Sequence, residues 1–159
     1  MSIIIRGARL IDPSKQLDQV SDIHVQAGRI KSIGHLADQS SDLEIDAKGL
    51  ILSPSFVDLH TCLRDLNQIQ KGTIASETRA ASSAGFTHLC ASPDTQPCSD
   101  SSSVISLIKS KAIAAGFCEL LPVAALTKDL KGTQLSNMEA LSRAGCIGFS
   151  NASYDINDN

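Results

Sequence analysis

From residue 50 onward, apolar stretches of strand length alternate with stretches of helical periodicity. The predicted strands are Leu50–Leu59, Phe86–Ala91, Cys118–Ala124 and Cys146–Phe149, and the predicted helices are Thr73–Ala84, Ser101–Ala115 and Gln134–Ala144. Strands that alternate with helices form parallel sheets with right-handed crossover connections. Four strands and three helices are too few for a closed eight-stranded barrel, which takes roughly 250 residues. The pattern therefore predicts an α/β fold, either a small open sheet or the front part of a larger structure.

The first 49 residues follow a different pattern, in which short strands are separated by turn signals. The predicted strands are Ser2–Leu10, Asp22–Ala27, Arg29–Gly34 and Leu43–Asp46. The pair Ala27-Gly28 favours a tight turn, so a hairpin is expected around Gly28. Such a segment is too short to bury much apolar surface alone. The sequence therefore predicts two domains, a small β module over residues 1–49 and an α/β domain over residues 50–159.

Composition and charge narrow the class of protein. Apolar residues make up 42% of the chain and charged residues 19%, as in globular proteins. A net charge of -3 gives no electrostatic basis for binding nucleic acid or an anionic membrane, and no apolar run reaches the length of a membrane span. Arg6 and Arg9 interrupt the N-terminal apolar stretch before the core of a signal peptide could form. The five cysteines include no Cys-x-x-Cys pair, so reduced thiols and a cytoplasmic location are expected.

The segment Phe56–Arg64 holds the densest group of chemically useful side chains. Alternate residues of a strand share a face. Asp58, His60 and Cys62 are therefore expected on one face, and Thr61 on the other. Imidazole and thiolate groups both bind zinc, and two such groups at positions i and i+2 can converge on one ion. His60 and Cys62 are therefore candidate metal ligands.

Several motifs along the chain resemble those of a known enzyme family. They are Asp46–Ile51 leading into Pro54–His60, then Gly85-Phe86-Thr87, Pro93–Pro97, Leu126–Gly132 and Gly148-Phe149-Ser150. In this order and spacing they are similar to dihydroorotase of the long form, within the amidohydrolase superfamily, over about residues 1–152. The resemblance implies a (β/α)₈ barrel beside a β module, with zinc at the barrel mouth. It also implies opening of the cyclic amide of dihydroorotate, or its closure from carbamoyl-aspartate, in pyrimidine biosynthesis.

On this resemblance, the expected fold is a small N-terminal β-sandwich module followed by an incomplete TIM-like barrel. The barrel part would comprise its first four strands and three helices. The family's remaining metal ligands are two histidines and an aspartate on later strands, and the chain is expected to end before them. His24 and His35 are expected to have surface or packing roles instead, and His88 is expected to be a strand histidine with satisfied hydrogen bonds.

The resemblance also assigns the first site residues. His60 matches the first metal ligand and Cys62 takes the place of the second, where a thiolate weakens the activation of water by zinc. Arg64 matches the residue that binds the substrate carboxylate through paired hydrogen bonds. The alternative for Arg64 is a salt bridge to Asp58 or Asp65.

Two further positions depart from the family pattern. Asp94 stands where the family usually has Asn, the second group that binds the substrate carboxylate. An ionised Asp has no N–H to donate, and two carboxylates about 4 Å apart repel by roughly 1 to 4 kcal/mol. Asn151 stands where long-form enzymes commonly have Asp, and it is expected to be a plain loop residue. Asn151 and Asp58 are both counted as degenerate site positions, and zinc is expected to bind weakly or not at all.

Three hypotheses about function follow. In the first, the chain is a catalytically degenerate dihydroorotase-like protein that acts as a structural partner of aspartate carbamoyltransferase, or that self-associates. In the second, it is a zinc-dependent cyclic amide hydrolase, either a dihydroorotase or an enzyme of the hydantoinase or allantoinase type. In the third, it is a truncated remnant without a function of its own.

Overall fold

The computed structural model describes residues 1–156, and the chain divides into two compact units. Residues 157–159 of the predicted second domain lie outside the described residues. The first unit, Met1–Pro54, contains one five-stranded sheet. Its strands are β1 (Ser2–Asp12), β2 (Leu17–Gln26), β3 (Arg29–Gly34), β4 (Leu43–Asp46) and β5 (Ile51–Leu52). The order is β3-β2-β1-β4, with β1–β2 and β2–β3 antiparallel and with β4 and β5 parallel to β1.

A tight turn joins β2 to β3. Ala27 and Gly28 both have positive φ, 50° and 73°. Two consecutive residues of this kind match the twist of the strands that they connect. The predicted hairpin around Gly28 is therefore confirmed. The core of this unit is formed by small and aliphatic side chains: Ala8, Leu10, Ile23 and Ala47.

The second unit starts at Ser55 and has the predicted α/β pattern. Its strands are β6 (Phe56–Thr61), β7 (Phe86–Ala91), β8 (Glu119–Ala125) and β9 (Gly148–Ser150), and its helices are α1 (Ile74–Ser83), α2 (Ser102–Ala115) and α3 (Met138–Ala144). All neighbouring strands are parallel, in the order β6-β7-β8-β9. The carboxyl ends of the strands therefore share one edge of the sheet, as the alternation of strands and helices predicts.

Three predicted elements are wrong in their extent, and one of them is β2, which begins at Leu17 and not at Asp22. The predicted strand Leu50–Leu59 is two strands in two different sheets, β5 beside β1 and β6 beside β7. Pro54 lies between them, and a proline cannot donate to a strand ladder. The predicted helix Gln134–Ala144 begins only at Met138, because Asn137 accepts a hydrogen bond from the Ala140 backbone N–H and caps the helix there.

The core of the second unit lies between the sheet and its helices. It is largely aliphatic, and its members include Leu63, Ile74, Leu89, Val104, Ile108 and Leu120. Full burial of one such side chain contributes about 1.5–3 kcal/mol. Thr73 caps α1 by accepting from the Ser76 N–H at 3.1 Å, while Ser76 Oγ accepts from the Thr73 N–H at 2.9 Å. These contacts fix the end of the loop between β6 and α1, the loop that contains Cys62 and Arg64.

Across residues 1–156, no helix combines the length and the apolar character that a bilayer crossing requires.

Candidate functional site at the strand carboxyl ends

The carboxyl end of β6 brings His60 and Cys62 together. His60 Nε2 lies 3.6 Å from Cys62 Sγ, with His60 exposed and Cys62 half-buried. The Asp58 carboxylate makes its hydrogen bonds elsewhere than with the His60 and Cys62 side chains. It accepts hydrogen bonds from the His60 backbone N–H at 2.9 Å and from Thr61 Oγ1 at 2.8 Å. These two bonds, the backbone bond first, lower the pKa of the Asp58 carboxyl.

The bond from Thr61 to Asp58 corrects one expectation. Strict alternation would place Thr61 on the face opposite Asp58, yet the two side chains are in contact. The pairing of β6 with β7 changes register between Asp58 and Thr61. An irregular strand end turns side chains out of strict alternation. His60 and Cys62 nevertheless converge as predicted.

The geometry of this pair can be compared with a zinc site. Bond lengths of about 2.0–2.1 Å for Zn–N and about 2.3 Å for Zn–S place tetrahedral ligand atoms about 3.5 Å apart. The 3.6 Å between His60 Nε2 and Cys62 Sγ fits that spacing. A catalytic zinc takes three protein ligands, but residues 1–156 contain no cluster of three His, Cys, Asp or Glu side chains placed to hold a metal. The described residues therefore supply two ligands with suitable spacing and do not complete a catalytic zinc site.

Arg64, two residues further, is paired with Asp94. The Arg64 Nη1 atom lies 3.6 Å from Asp94 Oδ2, and the two side chains are 39% and 22% exposed. The alternative prediction, that Arg64 forms a salt bridge with Asp58 or Asp65, is therefore wrong about the partner. Burial raises the pKa of the Glu77 carboxyl, and the nearby Arg64 opposes that effect.

Asp94 has one carboxylate oxygen without a partner. Its Oδ1 atom is buried and makes no hydrogen bond in the described structure. Asp94 follows β7 and lines a small, mainly polar cavity of about 100 Å³. The cavity is lined by Leu63, Arg64, Asp65, Gln68, Asp94, Gln96 and Tyr154. The two residues that the resemblance assigns to substrate binding, Arg64 and Asp94, are therefore brought together, but as partners of each other.

Asp65 lines the same cavity and is a structural residue that the sequence did not reveal. Only 4% exposed, it accepts hydrogen bonds from the Ile74 N–H at 2.7 Å, the Leu66 N–H at 2.6 Å and Lys111 Nζ at 2.5 Å. Burial alone would raise the pKa of Asp65, but the bonds from Lys111 and the two backbone groups outweigh it and lower the pKa. Asp65 thus ties the loop after β6 to the start of α1 and to α2.

Asn151 has a larger structural role than the predicted plain loop residue. Its side chain is buried, and its Oδ1 atom accepts from Thr127 Oγ1 at 2.6 Å. Its Nδ2 group donates to the backbone carbonyls of Leu130, Tyr154 and Asp155 at 3.4, 3.1 and 3.3 Å. Thr127 Oγ1 also accepts from the Gly132 N–H at 2.9 Å. Asn151 therefore joins the loops that follow β8 and β9.

The remaining histidines behave mostly as expected. His88 contacts Thr87 Oγ1 at 2.8 Å through Nδ1 and Glu119 at 3.4 Å through Nε2, so it is a partnered strand histidine. His24 is buried in β2, and neither ring nitrogen has a hydrogen-bond partner in the described structure.

Comparison with known proteins decides the family. The sequence profile of the family described as Dihydro-orotase-like matches residues 49–159. A dihydroorotase-like protein of Pseudomonas aeruginosa is 43% identical over 160 aligned residues, covering 100% of this chain and 38% of that protein. The chain belongs to the dihydroorotase-like family. A dihydroorotase of Geobacter metallireducens is 40% identical, covering 98% of the chain and 37% of that enzyme. This dihydroorotase-like chain thus spans less than two-fifths of the length of these relatives and matches their N-terminal part.

Solved structures show the same fold at lower identity. An L-hydantoinase from Arthrobacter aurescens superposes with a TM-score of 0.79 at 20% identity, over 98% of this chain and 35% of the hydantoinase. A D-hydantoinase from Thermus sp. gives a TM-score of 0.68 at 22% identity, over 89% and 30% of the two chains. The predicted α/β class is confirmed, and the described part of the chain shares the fold of the matching part of these hydantoinases.

Proposed function

We propose that this dihydroorotase-like chain is catalytically degenerate and acts in pyrimidine biosynthesis as a structural partner of aspartate carbamoyltransferase. The observation that carries the proposal is the pairing of Arg64 with Asp94. In the family pattern, both positions serve a substrate carboxylate. Here the guanidinium already faces a carboxylate of its own chain, and an incoming anionic ring would meet a second negative group.

The direction of hydrogen bonding supports the same conclusion. An Asn at position 94 could donate two N–H groups to a substrate, whereas a carboxylate can only accept. Arg64 remains the single donor of the two, and it is already 3.6 Å from Asp94. The electrostatic cost of adding another carboxylate at about 4 Å is roughly 1 to 4 kcal/mol, which corresponds to a loss of affinity of about fivefold to about a thousandfold.

Asn151, which follows β9 at the other end of the strand order, also supports the proposal. In long-form enzymes the acid at this position can contribute to the metal site. The Asn151 amide instead uses its donors on three backbone carbonyls and its oxygen on Thr127. A side chain with these bonds serves the loops and not a metal ion.

The proposal also includes the finer architecture. The four parallel strands would be the first half of a (β/α)₈ barrel, and the N-terminal sheet would be one layer of a β-sandwich. Val57 and Leu59 on the edge strand β6 are 50% and 78% exposed. An edge strand with exposed apolar side chains is a surface for further strands or for another protein. A cytoplasmic location and self-association are parts of the same proposal.

Co-expression with aspartate carbamoyltransferase tests the partnership. The expected result is a mixed assembly that co-purifies through size-exclusion chromatography, with no hydrolysis of dihydroorotate after zinc addition. The matched control is the double variant Cys62→His, Asp94→Asn, which restores the family's residue types while leaving Asp65 and Asn151 in place. An aspartate carbamoyltransferase assembly of equal stability without this chain would contradict the partnership. Turnover of dihydroorotate by the unmodified chain would contradict degeneracy.

A second candidate function rests on the spacing of His60 and Cys62. Because these two atoms lie at the distance expected of neighbouring zinc ligands, the chain could belong to a zinc-dependent cyclic amide hydrolase. Zinc measured by mass spectrometry after purification separates the two candidates. A stoichiometric content that disappears in Cys62→Ala, with hydrolysis of a cyclic amide, would favour the enzyme. A zinc content near zero would favour the structural partner.

A further inference from the structure

The cavity beside Arg64, which we call the Arg64–Asp94 cavity, is lined by loops that follow three different strands. Arg64 follows β6, Asp94 follows β7 and Tyr154 follows β9. In the strand order β6-β7-β8-β9, β9 is the strand furthest from β6. Neighbouring strands are about 4.8 Å apart, so the ends of β6 and β9 are separated by roughly 14 Å along the sheet. The segment after β9 therefore returns across the carboxyl edge of the sheet to bring Tyr154 to this cavity.

Tyr154 forms part of the solvent side of the cavity. Leu63 and Asp65, which also line it, are only 2% and 4% exposed, whereas Tyr154 is 56% exposed. The buried residues are therefore the floor of the cavity, and the phenol ring is part of its rim. A ring at the rim limits the approach of other molecules to Arg64.

Asn151 holds the segment after β9 in a tight turn. Its Nδ2 group donates to the backbone carbonyls of Tyr154 and Asp155 at 3.1 and 3.3 Å, and its own carbonyl accepts from the Tyr154 N–H at 3.0 Å. Ala152 within the turn has a positive φ of 49°, a value that non-glycine residues adopt mainly in turns. Tyr154 contributes only backbone atoms to these bonds. The turn therefore does not depend on the phenol ring that it presents to the cavity.

We propose that Tyr154 is a lid over the Arg64–Asp94 cavity and that Asn151 is the latch that keeps the lid closed. In the closed state the ring shields the Arg64 guanidinium from anions in solution, which makes the lid an autoinhibitory contact. Opening requires the turn after β9 to move and to give up its two bonds from Asn151 Nδ2. This inference goes beyond the proposed function, because a lid controls access to the cavity whether or not the chain is catalytically degenerate.

The composition of the chain allows a direct test of whether the ring is held. Tyr154 is the only tyrosine and there is no tryptophan, so tyrosine fluorescence reports on the lid alone. Quenching by acrylamide is expected to be about twofold or more weaker in the folded chain than in the same chain unfolded in urea, because a held ring meets the quencher less often. Equal quenching in the two states would overturn the proposal.

The reactivity of Arg64 tests the shielding. Modification of arginines by phenylglyoxal is followed by peptide mass spectrometry, with the exposed Arg29 in the first unit as the internal reference. Tyr154→Ala is expected to raise the rate at Arg64 by about threefold or more relative to Arg29, because the ring no longer covers the guanidinium. The matched control is Tyr154→Phe, which keeps the ring and should give the same ratio of rates as the unmodified chain.

An unchanged ratio in Tyr154→Ala would overturn the proposal, and so would a ratio that rises as much in Tyr154→Phe. Tyr154→Ala leaves the backbone bonds of the turn in place, so the variant is expected to fold. If it does not, quenching in the unmodified chain still decides. None of these measurements involves aspartate carbamoyltransferase, zinc or hydrolysis, so the lid and the proposed function can fail separately.

Discussion

Asp65 accepts hydrogen bonds from three donors, whereas Asp94, which lines the same cavity, has a single contact with Arg64 at 3.6 Å. Asn151 resembles Asp65, since its amide group has four partners. We call Asp65 and Asn151 the anchoring residues. His60, Cys62, Arg64 and Asp94 are the site residues, and the described structure gives each of their side chains few partners.

The two sets differ in what their bonds accomplish. The anchoring residues satisfy backbone groups of loops that would otherwise be left without partners. Their removal is expected to cost stability. The site residues contact mainly one another, so stability should hardly depend on them. The carboxyl edge of the sheet therefore combines a fixed framework with side chains that are available for binding.

The largest effect is expected for Asn151→Asp. A carboxylate at this buried position faces the carbonyls of Leu130, Tyr154 and Asp155 without a proton to donate. The expected loss in the free energy of unfolding is about 3 kcal/mol, measured by urea denaturation. The matched control is Asn137→Asp, because Asn137 caps α3 through its oxygen and a carboxylate can do the same. Equal losses in the two variants would contradict the anchoring role of Asn151.

The next effect concerns Asp65→Asn. An amide at this position has only one oxygen to accept hydrogen bonds. Its N–H₂ group would face the Ile74 N–H or Lys111 Nζ, both of which are donors, so at least one of these bonds is lost. A loss of about 2 kcal/mol in the free energy of unfolding is expected. Asp129→Asn serves as the comparison, since its pair with Lys131 is exposed and should contribute less than about 1 kcal/mol. A loss no larger than that of Asp129→Asn would remove Asp65 from the anchoring set.

The lowered pKa of Asp65 makes part of this stability depend on pH. A carboxyl whose pKa is lower in the folded state contributes fully above its unfolded pKa of about 3.9 and loses that contribution as the pH falls through the folded pKa. The difference in unfolding free energy between the unmodified chain and Asp65→Asn should therefore be constant near neutral pH. It should shrink as the pH falls below about 4. A difference that grows on acidification would have the wrong sign for this account.

The features of the sheet edge that depend on residues close together in the sequence could be predicted from the sequence. The alternation of strands and helices predicts the parallel order of β6 to β9, and the spacing of His60 and Cys62 predicts their convergence. The break at Pro54 was also available locally, since a proline between two apolar stretches argues against one continuous strand.

The anchoring contacts could not be predicted in this way. Lys111 lies 46 residues from Asp65, and Thr127 lies 24 residues from Asn151. Their meeting depends on how the loops return to the sheet edge, and no periodicity records that path. The partner of Arg64 could not be predicted for the same reason. Asp58 and Asp65 are nearer in the sequence but have other partners, whereas Asp94, which follows β7, faces the guanidinium.

The smallest effect is expected for the double variant His60→Ala, Cys62→Ala. The two side chains touch at 3.6 Å, and His60 is exposed, so their removal leaves few buried groups without partners. The free energy of unfolding should change by no more than about 0.5 kcal/mol, because substitutions away from packed or buried polar features are usually tolerated. The matched control is Leu63→Ala in the same segment, which is 2% exposed and should cost about 2–5 kcal/mol. If the double variant lost as much as Leu63→Ala, the site residues would belong to the framework, and the distinction between the two sets would fail.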